Sequence, residues 1–459
     1  MPNCYIETLG CQMNKADSER MFGLLSEIDY KPTEDINAAD LLIMNTCTIR
    51  EGAADRAYSN LGRWNKLKQK KPDIRIALAG CLAQEKGEEI QKRMPYIDIV
   101  FGTHNLHRLP DLLLELNKTG QSQCELYENL PDEVPETPII RRTSVTAWVN
   151  IILGCNFNCT YCIVPQVRGR EKSRTPDFIK QEIELLVSEG YKEVTLLGQN
   201  VTAYGLDFEN GASLASLLRF IHDVPGLERI RFLTGHPYHV TDELIETVAE
   251  LPKVCEYFHI PMQAGDDTTL RRMARIYSVD KYVKMADKIR ELMPKASITS
   301  DFIVGFPGET HEQFLNTCKA VERIGFDSCI TAMYSPRRNT PGAKWEEDEE
   351  LKVSEEEKRE RIGYLNALVT EIAEKESKKK YRDTQQEILI EGENPRNPKQ
   401  LTGRTRQGKI CNFDKPASNK INVGDLVQVK IDEITPWSLK GTLLPNSIES
   451  VRLEVSTVN

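Results

Sequence analysis

Three cysteines fall within eight residues of this chain: Cys155, Cys159 and Cys162, in GCNFNCTYCIVP. Thiolates are soft donors that suit zinc or iron–sulfur clusters. A structural zinc site takes four ligands, usually in two separated pairs, and here the next cysteine downstream is Cys255. A cubane [4Fe-4S] cluster commonly takes four thiolates. Held by three, it keeps one iron open to a small molecule, so the missing fourth thiolate reads as a coordination vacancy. The alternative is three cysteines that are merely buried. It is weakened by density, since twelve cysteines in 459 residues average about one in 38.

Three more cysteines share a position rather than a local motif. Cys11, Cys47 and Cys81 each fall just past an apolar strand-like run: CYIETLGC, DLLIMNTC and DIRIALAGC. In an open parallel sheet the carboxyl ends of the strands line one crevice, where ligands bind. Three thiolates from successive strands converge there on a second three-thiolate cluster site. A small buried apolar residue is the usual role of one free cysteine, and it accounts poorly for three in equivalent places.

The elements that must position these residues are legible as three series. Residues 1–120 alternate strand and helix patterns, including a helical stretch from about Ile49 to Lys70, which indicates a doubly wound parallel sheet. Residues 121–142, with NLPDEVPETP, are Pro-rich and acidic and read as a linker. Residues 143–376 form a second alternating series with strands near 146–152, 193–197, 229–233, 256–260, 297–304 and 327–332. Six strand–helix steps suit an incomplete (βα)6 barrel of the TIM type, with the Cys155 cluster following TAWVNIIL at its C-terminal mouth. Residues 377–446 change to short strands punctuated by Gly, Asn and Pro, a small antiparallel barrel of the oligonucleotide-binding type. The expected fold class is α/β with that small β-barrel appended.

Composition narrows the rest. The chain is 40% hydrophobic and 28% charged, with net charge -9. It shows neither a secretory signal pattern nor an apolar run of membrane-spanning length. Twelve cysteines in such a chain fit a reduced compartment, and the expectation is a cytoplasmic protein. Residues 378–420 nonetheless carry eleven Lys/Arg against five Asp/Glu, and 168–174 four against one. Such basic stretches can hold a polyanion locally or be solvated faces.

The Cys-x3-Cys-x2-Cys block resembles the signature of the radical S-adenosylmethionine enzymes. TLGCQMNKADSE, NTCTIRE, AGC, GCNFNCTYCIVPQVRGRE, LLGQNVTAYG, HIPMQAGDD, DFIVGFPGET and YSPRRNTP resemble in order the blocks of the methylthiotransferases. The terminal segment resembles their nucleic-acid-binding TRAM domain. Nearly the whole chain is covered, and NTCTIREGAADRAYSNLGRW and VRGREKSR are most similar to the bacterial tRNA branch.

That resemblance implies a sulfur–carbon transferase that puts a methylthio group on C2 of N6-isopentenyladenosine beside a tRNA anticodon. It implies two [4Fe-4S] clusters, an auxiliary one on Cys11, Cys47 and Cys81 and a radical-forming one on Cys155, Cys159 and Cys162. S-adenosylmethionine is the cosubstrate, the partners are a tRNA anticodon stem-loop and an electron donor such as flavodoxin or ferredoxin, and the enzyme is a monomer. Gln199 and Asn200 match a cofactor-contact position, and Gly305 and Gly308 would let the backbone approach the adenine of the cofactor. Alternatives are the sister branch, which modifies an aspartate of a small-subunit ribosomal protein, and a non-catalytic iron–sulfur protein that binds RNA or senses redox state.

Other residues are ambiguous in sequence. Glu309 is either functional or helix-start chemistry, His259 and Gln263 are site or core residues, and Phe413 is either a base-stacking or a core residue. Tyr204, Phe306 and Tyr334 are candidates for an apolar wall around a prenyl tail. The chain departs from the family pattern with Arg-Ile-Tyr at 275–277, where Arg-Gly-Tyr is usual, with TGHP for Thr-Ser-His-Pro, and with SPRRNTP. Removing the terminal barrel is expected to weaken RNA binding and spare the clusters.

Overall fold

The computed structural model describes residues 1–48, 51–131, 136–141, 145–209, 211–416 and 421–445. The first domain runs β1 (Asn3–Leu9), α1 (Gln12–Ser26), β2 (Lys31–Pro32), β3 (Leu41–Thr46), α2 (Glu51–Lys70), β4 (Arg75–Gly80), α3 (Cys81–Arg93), β5 (Ile99–Phe101), α4 (Leu109–Thr119) and β6 (Gln123–Glu125). Its strands form one sheet, β2-β1-β3-β4-β5-β6, parallel throughout. β3 is buried along its whole length, as the unbroken apolar run LLIM requires of a strand covered on both faces. Phe22, Leu25, Leu112 and Leu116 cover one face, and Ala57, Leu61, Trp64 and Leu82 the other.

One expectation shifts here, and another falls partly outside the described residues. Ile49 and Arg50, placed in α2 by sequence, lie outside the described residues. The segment read as a linker from 121 begins with a strand, because Gln123–Glu125 pairs with β5 and satisfies its outer backbone edge. Further along that segment, residues 132–135 and 142–144 lie outside the described residues.

The second domain runs β7 (Thr146–Asn150), β8 (Ile152–Leu153), α5 (Val164–Arg168), β9 (Lys172–Ser173), α6 (Pro176–Ser188), β10 (Glu193–Leu197), α7 (Leu214–His222), β11 (Arg229–Phe232), α8 (Asp242–Glu250), β12 (Tyr257–His259), α9 (Asp267–Arg272), α10 (Val279–Leu292), β13 (Ser297–Val304), α11 (His311–Ile324), β14 (Ser328–Met333) and α12 (Pro341–Glu346). β7-β10-β11 and β12-β13-β14 are parallel three-stranded sheets. A parallel bridge between Ile230 and Val254 joins them into the incomplete barrel. One continuous core, from Val149 and Val194 to Phe302 and Phe326, fills it.

α13 (Glu355–Tyr381) has 27 residues and is therefore ~40 Å long at 1.5 Å per residue. Near its start Arg361 pairs with Glu309, just past β13, at 2.6 Å. Near its end Lys380 donates to the Ala296 carbonyl at 2.7 Å, at the start of the same strand. It thus carries the chain from the barrel mouth to its base. There β15 (Gln385–Asn394), β16 (Asn397–Arg404), β17 (Ile410–Asp414), β18 (Leu426–Ile434) and β19 (Ser438–Leu443) close a five-stranded barrel. The β17–β19 pair is parallel and the other pairs antiparallel, so the barrel is not the purely antiparallel one expected.

The small barrel is welded to the base. Arg229, fully buried, donates to the Arg404 carbonyl (2.9 Å) and to the Glu387 carboxylate (2.7 Å). Arg231 donates to the carbonyls of Thr405 (2.8 Å) and Arg406 (2.6 Å). Deleting residues 380 onward would strip buried guanidinium groups of these partners, so that truncation perturbs the whole molecule.

Candidate active site: two cysteine trios around one cavity

Parallel register builds the first trio. Leu9 pairs with Thr46 and Thr46 with Gly80, so three adjacent strands end level. Cys47 and Cys81 follow directly, and Cys11 comes two residues after Leu9 as the N-cap of α1. Glycine permits the closeness. At Gly80 (φ +89°) a Cβ would lie 2.6 Å from the Thr46 carbonyl oxygen, and at Gly10 2.4 Å from Asn14 Oδ1. Asn14 and Asn45, both fully buried, brace the trio. Asn14 Oδ1 accepts from the Cys11 backbone N–H at 3.3 Å, and Asn45 Nδ2 donates to the Asn14 carbonyl at 2.7 Å.

Charge favours thiolates at Cys11 and Cys81. A hydrogen bond from the Cys47 thiol, aided by Arg168, pulls Cys11 down to about 5. The same two groups pull Cys81 down to about 7. Cys47, donor to both, is pushed up. The N-termini of α1 and α3 add their positive ends to Cys11 and Cys81.

The second trio lies on the loop between β8 and α5. At Gly154 (φ +75°) a Cβ would meet the Arg170 carbonyl oxygen at 2.1 Å, so only glycine lets the loop close. Cys155 N donates to the Gly169 carbonyl at 3.0 Å, and Cys162 N to the Cys159 carbonyl at 2.9 Å. Burial pushes Cys155 up to about 11 and Cys162 to about 12. Arg275 approaches Cys159 Sγ at 3.7 Å and is anchored on the Pro261 carbonyl at 2.5 Å. Burial works against its charge, and Tyr161, Tyr277 and Cys159 outweigh burial to hold it above the ordinary value.

All six cysteines line one cavity of about 480 Å³. Among the described residues no three His, Cys, Asp or Glu side chains gather around a single metal ion. A cubane gives each thiolate its own iron, and each trio, three soft donors beside one arginine, fits that demand.

Gln199 and Asn200 line the cavity as well. Gln199 Oε1 accepts from Gly154 N at 2.5 Å, which ties it to the cysteine loop. Asn200 is buried, and its Oδ1 accepts from Thr202 Oγ1 (2.8 Å) and His236 N (3.0 Å). Gly305 and Gly308 do not line the cavity. A Cβ at Gly305 would strike Lys358 Cγ at 2.4 Å and one at Gly308 Arg272 Nη1 at 2.6 Å, so both serve packing around α13 and α9. Glu309 is the buried partner of Arg361. Gln263 lines the cavity; His259 stands behind it, with Nδ1 2.9 Å from Thr299 Oγ1. Of the three aromatic candidates only Tyr334 lines it; Tyr204 and Phe306 are core residues. Phe413 is fully buried in the terminal barrel, whose exposed aromatic is Trp437.

The departures have local explanations. The left-handed turn after α9 is taken by Ala274 (φ +55°), and Ile276 is exposed. At Gly235 a Cβ would lie 2.8 Å from Thr202 Cγ2, so a serine there would require a shift. Sequence reasoning missed Arg168, Arg275, Asn14, Asn45 and His236. The last stacks on Phe157 of the cysteine loop at 3.7 Å. Single polar residues far from the cysteines in sequence carry no spacing signal.

Comparison with known proteins agrees with this geometry. Residues 3–102 match the family described as uncharacterized protein family UPF0004, 149–321 the radical SAM superfamily and 379–444 the TRAM domain. Among solved structures the chain is similar to the radical S-adenosylmethionine methyltransferase TsrM from Kitasatospora setae, which was solved with cobalamin and a [4Fe-4S] cluster. Identity is 13% and the TM-score 0.55, over 75% of this chain and 77% of that one. It is also similar to the cobalamin-dependent S-adenosylmethionine radical enzyme OxsB, at 11% identity and TM-score 0.51, over 80% and 56%. These likenesses establish the fold. The radical SAM fold implies a [4Fe-4S] cluster and S-adenosylmethionine, and the TRAM domain suggests RNA binding. No helix among the described residues is long and apolar enough to cross a membrane. An UPF0004 domain, a radical SAM domain and a TRAM domain in this order are the architecture of the methylthiotransferase family, and that is the architecture of this chain.

Proposed function

We propose that the protein methylthiolates C2 of N6-isopentenyladenosine next to a tRNA anticodon, with one [4Fe-4S] cluster on Cys11, Cys47 and Cys81 and a second on Cys155, Cys159 and Cys162. The observation that carries this reading is the single cavity onto which both trios open. An adenine C2–H is too weak an acid for a side-chain base. The clusters and S-adenosylmethionine, when bound, supply the radical and sulfur chemistry that such a position demands. The electron enters from a small carrier of the flavodoxin or ferredoxin type.

The chain's own residues bind, orient and exclude water. Gln199 holds the loop of the second trio, and Arg168 and Arg275 supply one buried cation to each trio. Phe157, Tyr161, Leu233, Ile330, Met333 and Tyr334 give the cavity apolar walls. C2 lies on the Watson–Crick side of adenine, so the target base must be unpaired and extruded to enter. At about 0.8 kcal/mol per buried CH₂-sized group, a five-carbon prenyl tail against these walls contributes a few kcal/mol. Much of the basic stretch 378–420 is already engaged: Lys380 with Asp327, Arg404 with Glu391, Arg406 with Glu256 and Lys415 with Glu393. Exposed Arg396, Lys399 and Trp437 remain for RNA.

The test is single-turnover methylthiolation of matched tRNA with and without the prenyl group. A rate advantage of about two orders of magnitude for prenylated tRNA is expected at limiting substrate. Equal rates refute this substrate, and modification of a ribosomal protein instead would hand the activity to the sister branch.

A further inference from the structure

α5 joins the two trios physically. It begins two residues after Cys162, and its last residue, Arg168, reaches out of the barrel into the N-terminal domain. Arg168 Nε donates to the Cys81 sulfur at 3.3 Å, while Nη2 lies 2.8 Å from the Asp17 carboxylate on α1. Arginine and aspartate are each 6% exposed, so solvent screens neither. Ile163 and Val167 pack with Cys81, and Thr103 Oγ1 donates to the Val167 carbonyl. The helix is therefore pinned to the N-terminal domain along its length. The fork shape of the guanidinium matters, since one planar group reaches a sulfur and a carboxylate together, which a lysine ammonium does not reproduce.

Resting on the two-cluster reading, we propose that Arg168 is the positioning residue through which the barrel domain sets the reduction potential of the N-terminal iron–sulfur site. Reduction adds one electron to a cluster held by three thiolates. A buried cation with an N–H···S bond stabilises that more negative state, because hydrogen bonds to sulfur, net charge and burial are what tune such potentials. Asp17 offsets part of the cation's effect and fixes its orientation. The N-terminal domain supplies all three sulfurs, yet its electronic setting comes from a residue six positions after the last cysteine of the other trio. The two sites are thereby matched only when the domains are docked.

The experiment uses the full chain with Cys155, Cys159 and Cys162 replaced by alanine, so that any iron–sulfur signal belongs to the N-terminal trio. After anaerobic reconstitution, a dithionite titration followed by electron paramagnetic resonance gives the midpoint potential. Arg168→Gln is expected to move it to a more negative value at unchanged iron content, Arg168→Lys to fall between, and Asp17→Asn to move it to a more positive value. An unchanged midpoint in Arg168→Gln, or a negative shift in Asp17→Asn, overturns the proposal. So does loss of iron from Arg168→Gln and Arg168→Lys alike, which would make the residue a structural pin. A parent protein without iron would instead be a failure of the two-cluster reading, visible before any Arg168 variant is made.

Discussion

Gly80→Ala tests how the N-terminal trio is built. Gly80 ends β4 with φ +89° and ψ -164°, a region open essentially to glycine, and placing another residue there costs about 1–3 kcal/mol. The added Cβ would also lie 2.6 Å from the Thr46 carbonyl oxygen and 2.4 Å from Asn45 Oδ1. The first is backbone of the neighbouring strand, which cannot swing aside; relief requires β3 and β4 to part. Overpacking of this kind costs a further ~1–3 kcal/mol. The sum, about 2–6 kcal/mol, lies mostly below the net stability of a typical domain, ~5–15 kcal/mol. The variant should therefore fold with a distorted strand end, and that end holds Cys47 on one strand and Cys81 on the other.

The readout is iron per chain after anaerobic reconstitution, together with reductive S-adenosylmethionine cleavage in the absence of RNA. Two four-iron clusters give about eight irons. Gly80→Ala should keep about four, retain cofactor cleavage and lose methylthiolation. Full iron with an unchanged melting temperature would show that the strand ends tolerate a Cβ, and the account of the trio would fall. Equal loss of both clusters would refute the separability of the two sites.

Cys159→Ala is the mirror experiment: it should also leave about four irons, now with the N-terminal cluster spared and S-adenosylmethionine cleavage abolished. Retained cleavage would exclude the second trio as the radical-forming site. Ala274→Gly relieves a left-handed alanine (φ +55°) and should raise stability by up to about 1 kcal/mol in chemical denaturation; a loss would mean that the turn is held by something other than backbone conformation. Arg229→Met leaves the Glu387 carboxylate and two carbonyls at the base without their cation, a loss of about 3–5 kcal/mol for breaking a buried pair, measured as a lower urea midpoint and faster proteolysis between α13 and β15. A change below ~1 kcal/mol would show that the two barrels are not coupled there.

The strand–helix alternation was legible because apolar runs such as LLIM and IALAG mark buried parallel strands. The six barrel strands fall where that pattern puts them. The cysteines were legible because three at strand ends, or three in eight residues, is a dense signal. Arg168, by contrast, is one basic residue in RGREKSR, and nothing local distinguishes a cation that will be buried against a thiolate from one left in solvent. The same blindness explains the basic terminal segment. Its positive balance suggested a polyanion surface, yet Arg404 and Arg406 face carboxylates and Lys380 is buried on Asp327. Gly305 and Gly308 illustrate the converse: close approach of a cofactor was anticipated there, but the groups that crowd them are Lys358 and Arg272, over 30 residues away in the chain.

The two ends of the barrel divide the work. Leu197, Leu233, Ala332 and Met333, at the carboxyl ends of the strands, line the cavity. Glu193, Arg229, Tyr257 and Ser297 begin the strands at the other end, where Arg406 and Gly408 of the small barrel dock. These strands have three to eight residues, roughly 10–26 Å at about 3.3 Å per residue, so under the proposed function nucleic acid held by the small barrel would have to reach around the flank to present a base at the mouth. A free single nucleotide cannot satisfy both contacts; a folded stem with an unpaired loop can. If the proposed substrate is right, fixing that distance with buried arginines rather than a flexible linker would make the separation itself a criterion of recognition, because a rigid spacer rewards only ligands whose length matches the span.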